Sequence, residues 1–260
     1  MIYKIYTFLF ARVIFFKLNR FLYKLSIHGL GIRNNTNSYL SGEDNFIKRL
    51  IKNQGLKNGV IFDVGANIGT YSKHIRNQGV KLPIYAFEPH PDTYLELLNT
   101  ANEFDITSIN SGLGKETSKS LIFDYKSNDG SQHASLFKEV IEEIHKSESI
   151  TKEINITTID VFVKSNKIDE IALLKIDTEG NELAVLEGAI ETLNLGKIKV
   201  IQIEFNEMNV ISHTFMRDFI KILPNYNFYR LLPNEMLELK EYIPVYNEIF
   251  AFQNIIAILK

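Results

Sequence analysis

Residues Val60–Ile75 read VIFDVGANIGTYSKHI, an apolar run that passes through a glycine-bearing turn into residues spaced for a helix at Ile68, Tyr71 and Ile75. The stretch predicts a strand, a tight turn and a helix. Outward from it the rhythm repeats, with short apolar runs at Val60–Val64, Ile84–Phe87, Ile106–Ile109, Ile171–Ile176 and Val200–Phe205. Helical faces fall between them: Leu95 and Leu98 after a first-turn Pro91, then Leu183, Leu186, Ile190 and Leu193. Strands apolar on both faces that alternate with helices imply an α/β fold with a mostly parallel, doubly wound sheet. Ligands of such sheets bind beyond the carboxyl ends of the strands.

The 260 residues, 45% of them apolar, suffice for one substantial core. Net charge is −2, unevenly spread. Residues 1–42 carry Lys4, Arg12, Lys17, Arg20, Lys24 and Arg33 and no acid, which leaves 23 basic against 31 acidic residues over 43–260. We therefore divide the chain into a basic, aromatic helical extension, 1–42, and a main domain, 43–260, with an insertion around 114–154. In residues 1–25 Lys17, Arg20 and Lys24 share one side of a helix. Two readings stand: an interfacial helix facing anionic headgroups, or, preferred, a terminal helix packed on the main domain or on a second subunit. No uncharged run exceeds the 11 residues of Ile249–Leu259, too few to span a bilayer, and no signal-peptide pattern is present. With no cysteine, the expectation is a cytoplasmic protein, at most peripheral at the inner face of a membrane.

Further detail is coarser. A short helix is expected at Asn45–Ile51. In the insertion we expect a strand around Ser120–Tyr125, a loop through SNDGSQHASL and a helix at Phe137–His145. The tail (NFYRLL, Met236–Leu239, IFAFQNIIAIL) reads as strands ending in an antiparallel hairpin on the sheet edge.

The turn Gly65-Ala66-Asn67-Ile68-Gly69 lacks the second glycine of the dinucleotide fingerprint. Asp63, at the end of the preceding strand, would repel a diphosphate. A ligand bearing an ammonium and a sulfonium would welcome it, and S-adenosylmethionine is such a ligand. Glu88, in IYAFEPHP, ends the next strand, where a carboxylate accepts ribose hydroxyl hydrogens. An NAD-binding oxidoreductase is the competing reading, disfavoured by the missing glycine and by Asp63.

FDVGANIGTYS (62–72), AFEPHP (86–91) and LLKIDTEGNELAVLEGA (173–189) together resemble the FkbM family of S-adenosylmethionine-dependent methyltransferases, and LSGED and QNIIAI are similar to its flanking segments. The resemblance covers about residues 40–257. It implies a class I, Rossmann-like methyltransferase fold: a seven-stranded, mostly parallel sheet with a reversed last strand and helices on both faces. It also implies methyl transfer, usually to oxygen, often of a sugar or polyketide hydroxyl. Carried over by position, Asp63, Gly65, Asn67 and Gly69 would line the methionine part of the cofactor, Glu88 the ribose, and Asn110 and Ser111 the adenine. The HASL stretch, His133–Leu136, is similar to a family element beside the site.

LLKIDTEGNE brings Lys175, Asp177 and Glu179 to the end of the fourth strand, and VIQIEFNE brings Glu204 and Asn206 to the same rim. Lys175 and Asp177 point the same way and are candidates to pair; Asp177 and Glu179 also precede a helix N-terminus, where acids are favoured. For an acceptor hydroxyl the candidate bases are Asp177, Glu204 and His133. A divalent metal held by Asp177, Glu204 and Asn206 is a variant that the resemblance does not demand, so no metal is assigned. The acceptor is expected to be a small molecule or a glycan, including one linked to lipid, and an oligomer is compatible with the sequence. A non-catalytic, membrane-peripheral module ranks last, and a nucleic-acid acceptor is disfavoured by the acidic main domain.

Overall fold

The structure, a computed structural model, describes residues 1–125 and 134–260. Its strands are β1 (Val60–Val64), β2 (Ile84–Phe87), β3 (Thr107–Ile109), β4 (Gly112–Leu113), β5 (Ser118–Tyr125), β6 (Ser149–Thr157), β7 (Ile171–Ile176), β8 (Ile198–Phe205), β9 (Tyr226–Leu231), β10 (Met236–Glu238) and β11 (Gln253–Leu259). Eight form one sheet in the order β10-β9-β11-β8-β7-β1-β2-β3. The run from β3 to β8 is parallel, and β11 is antiparallel to both β8 and β9.

The expected alternation thus folds as a doubly wound sheet, with two differences in the tail. The sheet has an eighth strand, because the three residues of β10 pair antiparallel with β9. The last strand does not lie at the edge: β11 inserts between β8 and β9. Buried Ile255, Ile256 and Ala257 are apolar on both faces, which suits an interior position.

Strand alternation divides the core into two layers. Phe62, Val64, Leu174, Ile176, Ile201 and Ile203 pack under helices Ile159–Ser165, Glu182–Glu187, Ile190–Asn194 and Met216–Ile222. On the other face Ile61, Ala86, Leu173 and Val200 meet helices Glu43–Lys52, Thr70–Asn77 and Pro91–Phe104. Phe62 and Phe87 are fully buried, with ring centroids 5.2 Å apart, and both contact Phe162; burying each contributes about 1.5–3 kcal/mol. They anchor the ends of β1 and β2. Pro91 opens its helix as expected, with the His90 side chain accepting from Thr93 N–H. That helix buries Thr93, Leu97 and Ala101 instead of Leu95, which is exposed.

The described residues of the insertion hold more regular structure than its polar composition suggests, and the loop expected through SNDGSQHASL lies mostly outside the described residues. β5 and β6 pair antiparallel over eight residues and β4 joins β6, making a second, three-stranded sheet. The helix expected at Phe137–His145 is a π-helical turn at Val140–Ile144.

The extension forms helices Ile2–Phe10 and Phe16–Gly29, joined through Val13–Phe15. Asn19 clasps them, accepting from Tyr6 Oη at 2.6 Å and donating to Phe10 O at 2.9 Å. Ile27 is the only buried side chain in the two helices, so packing of this segment on the main domain is confined to its base.

Candidate active site

One cavity of about 580 Å³ opens at the carboxyl ends of β1, β2, β7 and β8, a size typical of small-ligand sites. Its first half is shaped by backbone. Gly65 has φ +75°, and a Cβ there would collide with the Asp177 carbonyl oxygen. Gly69, at φ +86°, packs against Leu97 and Thr100 of the next helix, where a Cβ would lie 2.9 Å from both side chains. Only glycine satisfies both the conformation and the approach. Between them Asn67 takes φ +50°, supported by its own Oδ1 accepting from Ile68 N–H at 2.7 Å.

Glu88 stands across from this turn. Its Oε2 accepts Asn67 N–H at 2.9 Å and its Oε1 accepts His90 N–H at 2.8 Å. Burial pushes the carboxyl up to about 7, against the two amide hydrogen bonds that pull it down. Each oxygen retains the capacity to accept a further hydrogen bond. Beyond Glu88 the wall turns apolar: Pro89, Leu113, Ile122, Ile154 and Ile156. The insertion therefore supplies much of this apolar wall, through Ile122 of β5 and Ile154 and Ile156 of β6, a strand absent from the elements expected above.

The second half is shaped by side chains. In-register pairing of β1, β7 and β8 sets Asp63, Lys175 and Gln202 side by side. Lys175 Nζ lies 3.0 Å from Asp177 Oδ2, 3.7 Å from Asp63 Oδ1 and 5.0 Å from the Tyr71 ring centroid. Burial opposes its charge, but Asp177 and Asp63 outweigh that and raise its pKa above the ordinary lysine value. Tyr71 Oη donates to Gln202 Oε1 at 2.6 Å, and Gln202 Nε2 donates to Glu43 Oε1 at 2.9 Å and Asn254 Oδ1 at 3.0 Å. Beside this belt Glu204 lines the cavity, its Oε1 accepting from Asn206 Nδ2 at 2.9 Å. Burial, then the neighbouring Asp177 and Glu179, push the Glu204 carboxyl well above the usual range.

Of the residues expected from sequence, Gly65, Asn67, Glu88, Asp177 and Glu204 face the cavity. Asp63 does not. It is fully buried behind the wall, accepting from Ser72 Oγ at 2.6 Å, and its Oδ1 receives no hydrogen bond among the described residues. Alternation puts it on the face of Ile61, where it balances Lys175 from behind. Asn110 donates to Glu88 O and Pro89 O, while Ser111 donates to Gly112 O and Asn155 O, and neither lines the cavity. His133 lies outside the described residues. Glu182, unassigned from sequence, holds the 177–181 loop, its Oε1 accepting from Thr178 N–H, Thr178 Oγ1 and Gly180 N–H and its Oε2 from Asn209 Nδ2.

The metal variant does not fit this donor set. Asn206 Oδ1 already accepts Met208 N–H at 2.9 Å and its nitrogen serves Glu204, while the Lys175 ammonium sits on Asp177. A cationic methyl donor fits. Glu43, Glu88, Asp177, Glu179 and Glu204 face the cavity against one lysine, itself paired. The same lining disfavours a diphosphate.

Residues 63–230 match the methyltransferase FkbM domain. The hexuronic acid methyltransferase AglP of Haloferax volcanii is 31% identical over 166 residues, 63% of either chain. Methyltransferase 1 of Beauveria bassiana is 26% identical over 144 residues, 49% of this chain and 57% of its own. The chain thus spans less than two thirds of the length of these relatives. A crystal structure of methyltransferase FkbM from Methylobacillus flagellatus KT superposes with a TM-score of 0.48 at 16% identity, covering 77% of this chain and 43% of that one. With its glycine turn, Glu88 and KIDTEGNE loop gathered on one cavity, the chain belongs to the FkbM family of S-adenosylmethionine-dependent methyltransferases.

Proposed function

We propose that this protein transfers a methyl group to a hydroxyl of a glycan or another hydroxylated metabolite, with Glu204 as the base. The observation that carries the reading is the Glu204 carboxyl on the cavity wall, held by Asn206 and raised in pKa by burial and by its acidic neighbours. Bound S-adenosylmethionine supplies an electrophilic methyl carbon. The protein's task is then to hold an acceptor oxygen in line with it and to take the hydroxyl proton.

Gly65 and Asn67 would hold the aminoacyl end of the cofactor and Glu88 its ribose, which leaves Asp177 and Glu204 on the cavity wall for the acceptor. A carboxylate with a raised pKa is the stronger base. The arriving positive charge favours its ionised form, so Glu204 is ready to accept a proton when the donor is in place. Asp177, paired with Lys175, is a less free acceptor and serves better to orient the hydroxyl.

The acidic lining also narrows the acceptor class. The relative AglP is named for a hexuronic acid, but a sugar carboxylate here would face five acids, and the one lysine among the described lining residues is already engaged. A neutral, polyhydroxylated acceptor suits this cavity better.

The test is Glu204→Gln, assayed with labelled S-adenosylmethionine and a glycan-containing cell extract. Expected is a fall in turnover of roughly 10²–10⁴-fold with cofactor affinity little changed. Wild-type turnover in the variant would refute the assignment.

A further inference from the structure

Fifteen of the thirty exposed large apolar side chains among the described residues lie within residues 1–25. Tyr3, Phe8, Val13, Ile14 and Phe16 are each more than 60% exposed. A face this apolar is not a solvated surface. Interspersed are Lys4, Arg12, Lys17, Arg20 and Lys24, all exposed, with no acid in the segment and no salt bridge to any of them among the described residues. The two helices are nevertheless a defined unit, clasped at Asn19, with Phe10 against Tyr6 and Phe15.

We propose that this helical hairpin docks the enzyme on an anionic bilayer surface. Apolar side chains mixed with unpaired cations match the acyl boundary and the anionic headgroups together. A symmetric contact with the hairpin of a second copy would bring ten like charges together, so self-pairing is the poorer match. No described helix is long and apolar enough to cross a membrane, so the segment lies on the surface.

The base of the hairpin ties this docking to the active site. Arg33 N–H donates to Phe252 O at 2.7 Å, and Arg230 Nη1 donates to Leu30 O at 3.4 Å. Asn35, Asn37, Ser38 and Phe252 then line the cavity itself. Asn35 lies six positions beyond Gly29, a reach of at most about 22 Å. A docked hairpin therefore keeps the acceptor side of the cavity close to the headgroups, within reach of an acceptor carried on a lipid. The docking itself does not depend on the acceptor proposed above.

The experiment is cosedimentation of the full-length protein with vesicles of phosphatidylcholine alone and of phosphatidylcholine with phosphatidylglycerol, beside a calorimetric S-adenosylmethionine titration. Binding is expected only to the anionic vesicles. The variant Lys17→Glu/Arg20→Glu/Lys24→Glu should lose roughly 100-fold in vesicle affinity, at about fivefold or more per cation. Val13→Asp/Ile14→Asp should also detach, and both variants should keep wild-type cofactor affinity, which shows the main domain folded. Absence of wild-type binding to anionic vesicles, equal binding to neutral ones, or wild-type behaviour of the charge-reversed variant would overturn the proposal. So would a wild-type dimer that Val13→Asp/Ile14→Asp makes monomeric without any vesicle binding.

Discussion

The two halves of the cavity are built by different means. On the side proposed for the cofactor the geometry belongs to the backbone: a positive-φ turn whose amide meets a buried glutamate. On the acceptor side it belongs to side chains, an ion and hydrogen-bond belt running from Asp63 through Lys175 and Tyr71 to Gln202 and Glu43. A backbone-built site tolerates few residues at a few positions. A belt tolerates exchange at any position if its charges still balance, so the half proposed for the acceptor is the one with more room for substitution.

Lys175→Met gives the largest expected effect and probes the belt. It strands the buried Asp63 carboxylate and should cost about 3–5 kcal/mol of stability in denaturant unfolding. Adding Asp63→Asn should restore most of it. If the double variant is as unstable as the single one, the belt is not held by charge balance and the contrast fails.

Gly65→Ala probes the backbone half. The left-handed conformation alone costs about 1–2 kcal/mol for a non-glycine residue, and the collision with Asp177 O adds to it. Thermal unfolding should register the loss, and no second substitution in the belt should repair it. A stable variant with wild-type cofactor affinity would show that the turn is not rigid.

The smallest effect concerns Glu88. Its folded pKa of about 7 lies above the ordinary glutamate value of 4.5, so the folded state holds a proton that the unfolded state has lost between those pH values. Stability attributable to this group is present below pH 4.5 and is lost as pH rises through 7. Cofactor binding has the opposite sign, because an ionised Glu88 accepts the ribose hydroxyls. Affinity should weaken about tenfold per pH unit below 7, and Glu88→Gln should flatten that profile. A flat wild-type profile would remove Glu88 from the ribose site.

The same contrast governs how much of the molecule is legible in its amino-acid order. β1, β2, β7 and β8 are apolar on both faces, and the glycines and Glu88 stand at fixed offsets from the strand ends, so local pattern suffices. Asp63 shows where that stops. Its position at a strand end is legible; that it faces Lys175 and not the cavity follows from a register across three strands that no single segment encodes. β6 has a period-two pattern in Ile150, Lys152, Ile154 and Ile156, but its exposed charges mask it, and only pairing with β5 buries one side. The placement of β11 inside the sheet likewise depends on long-range pairing and leaves no local signature.

The acids that ring the cavity have a bearing on the end of the catalytic cycle as well as its start. Methyl transfer turns the sulfonium of the donor into an uncharged thioether while its ammonium stays, so one of the two positive charges that draw the fresh molecule in is lost at the moment of reaction. The spent one is held by shape, hydrogen bonding and its remaining ammonium, and the next donor, with one more positive charge, displaces it with electrostatics on its side.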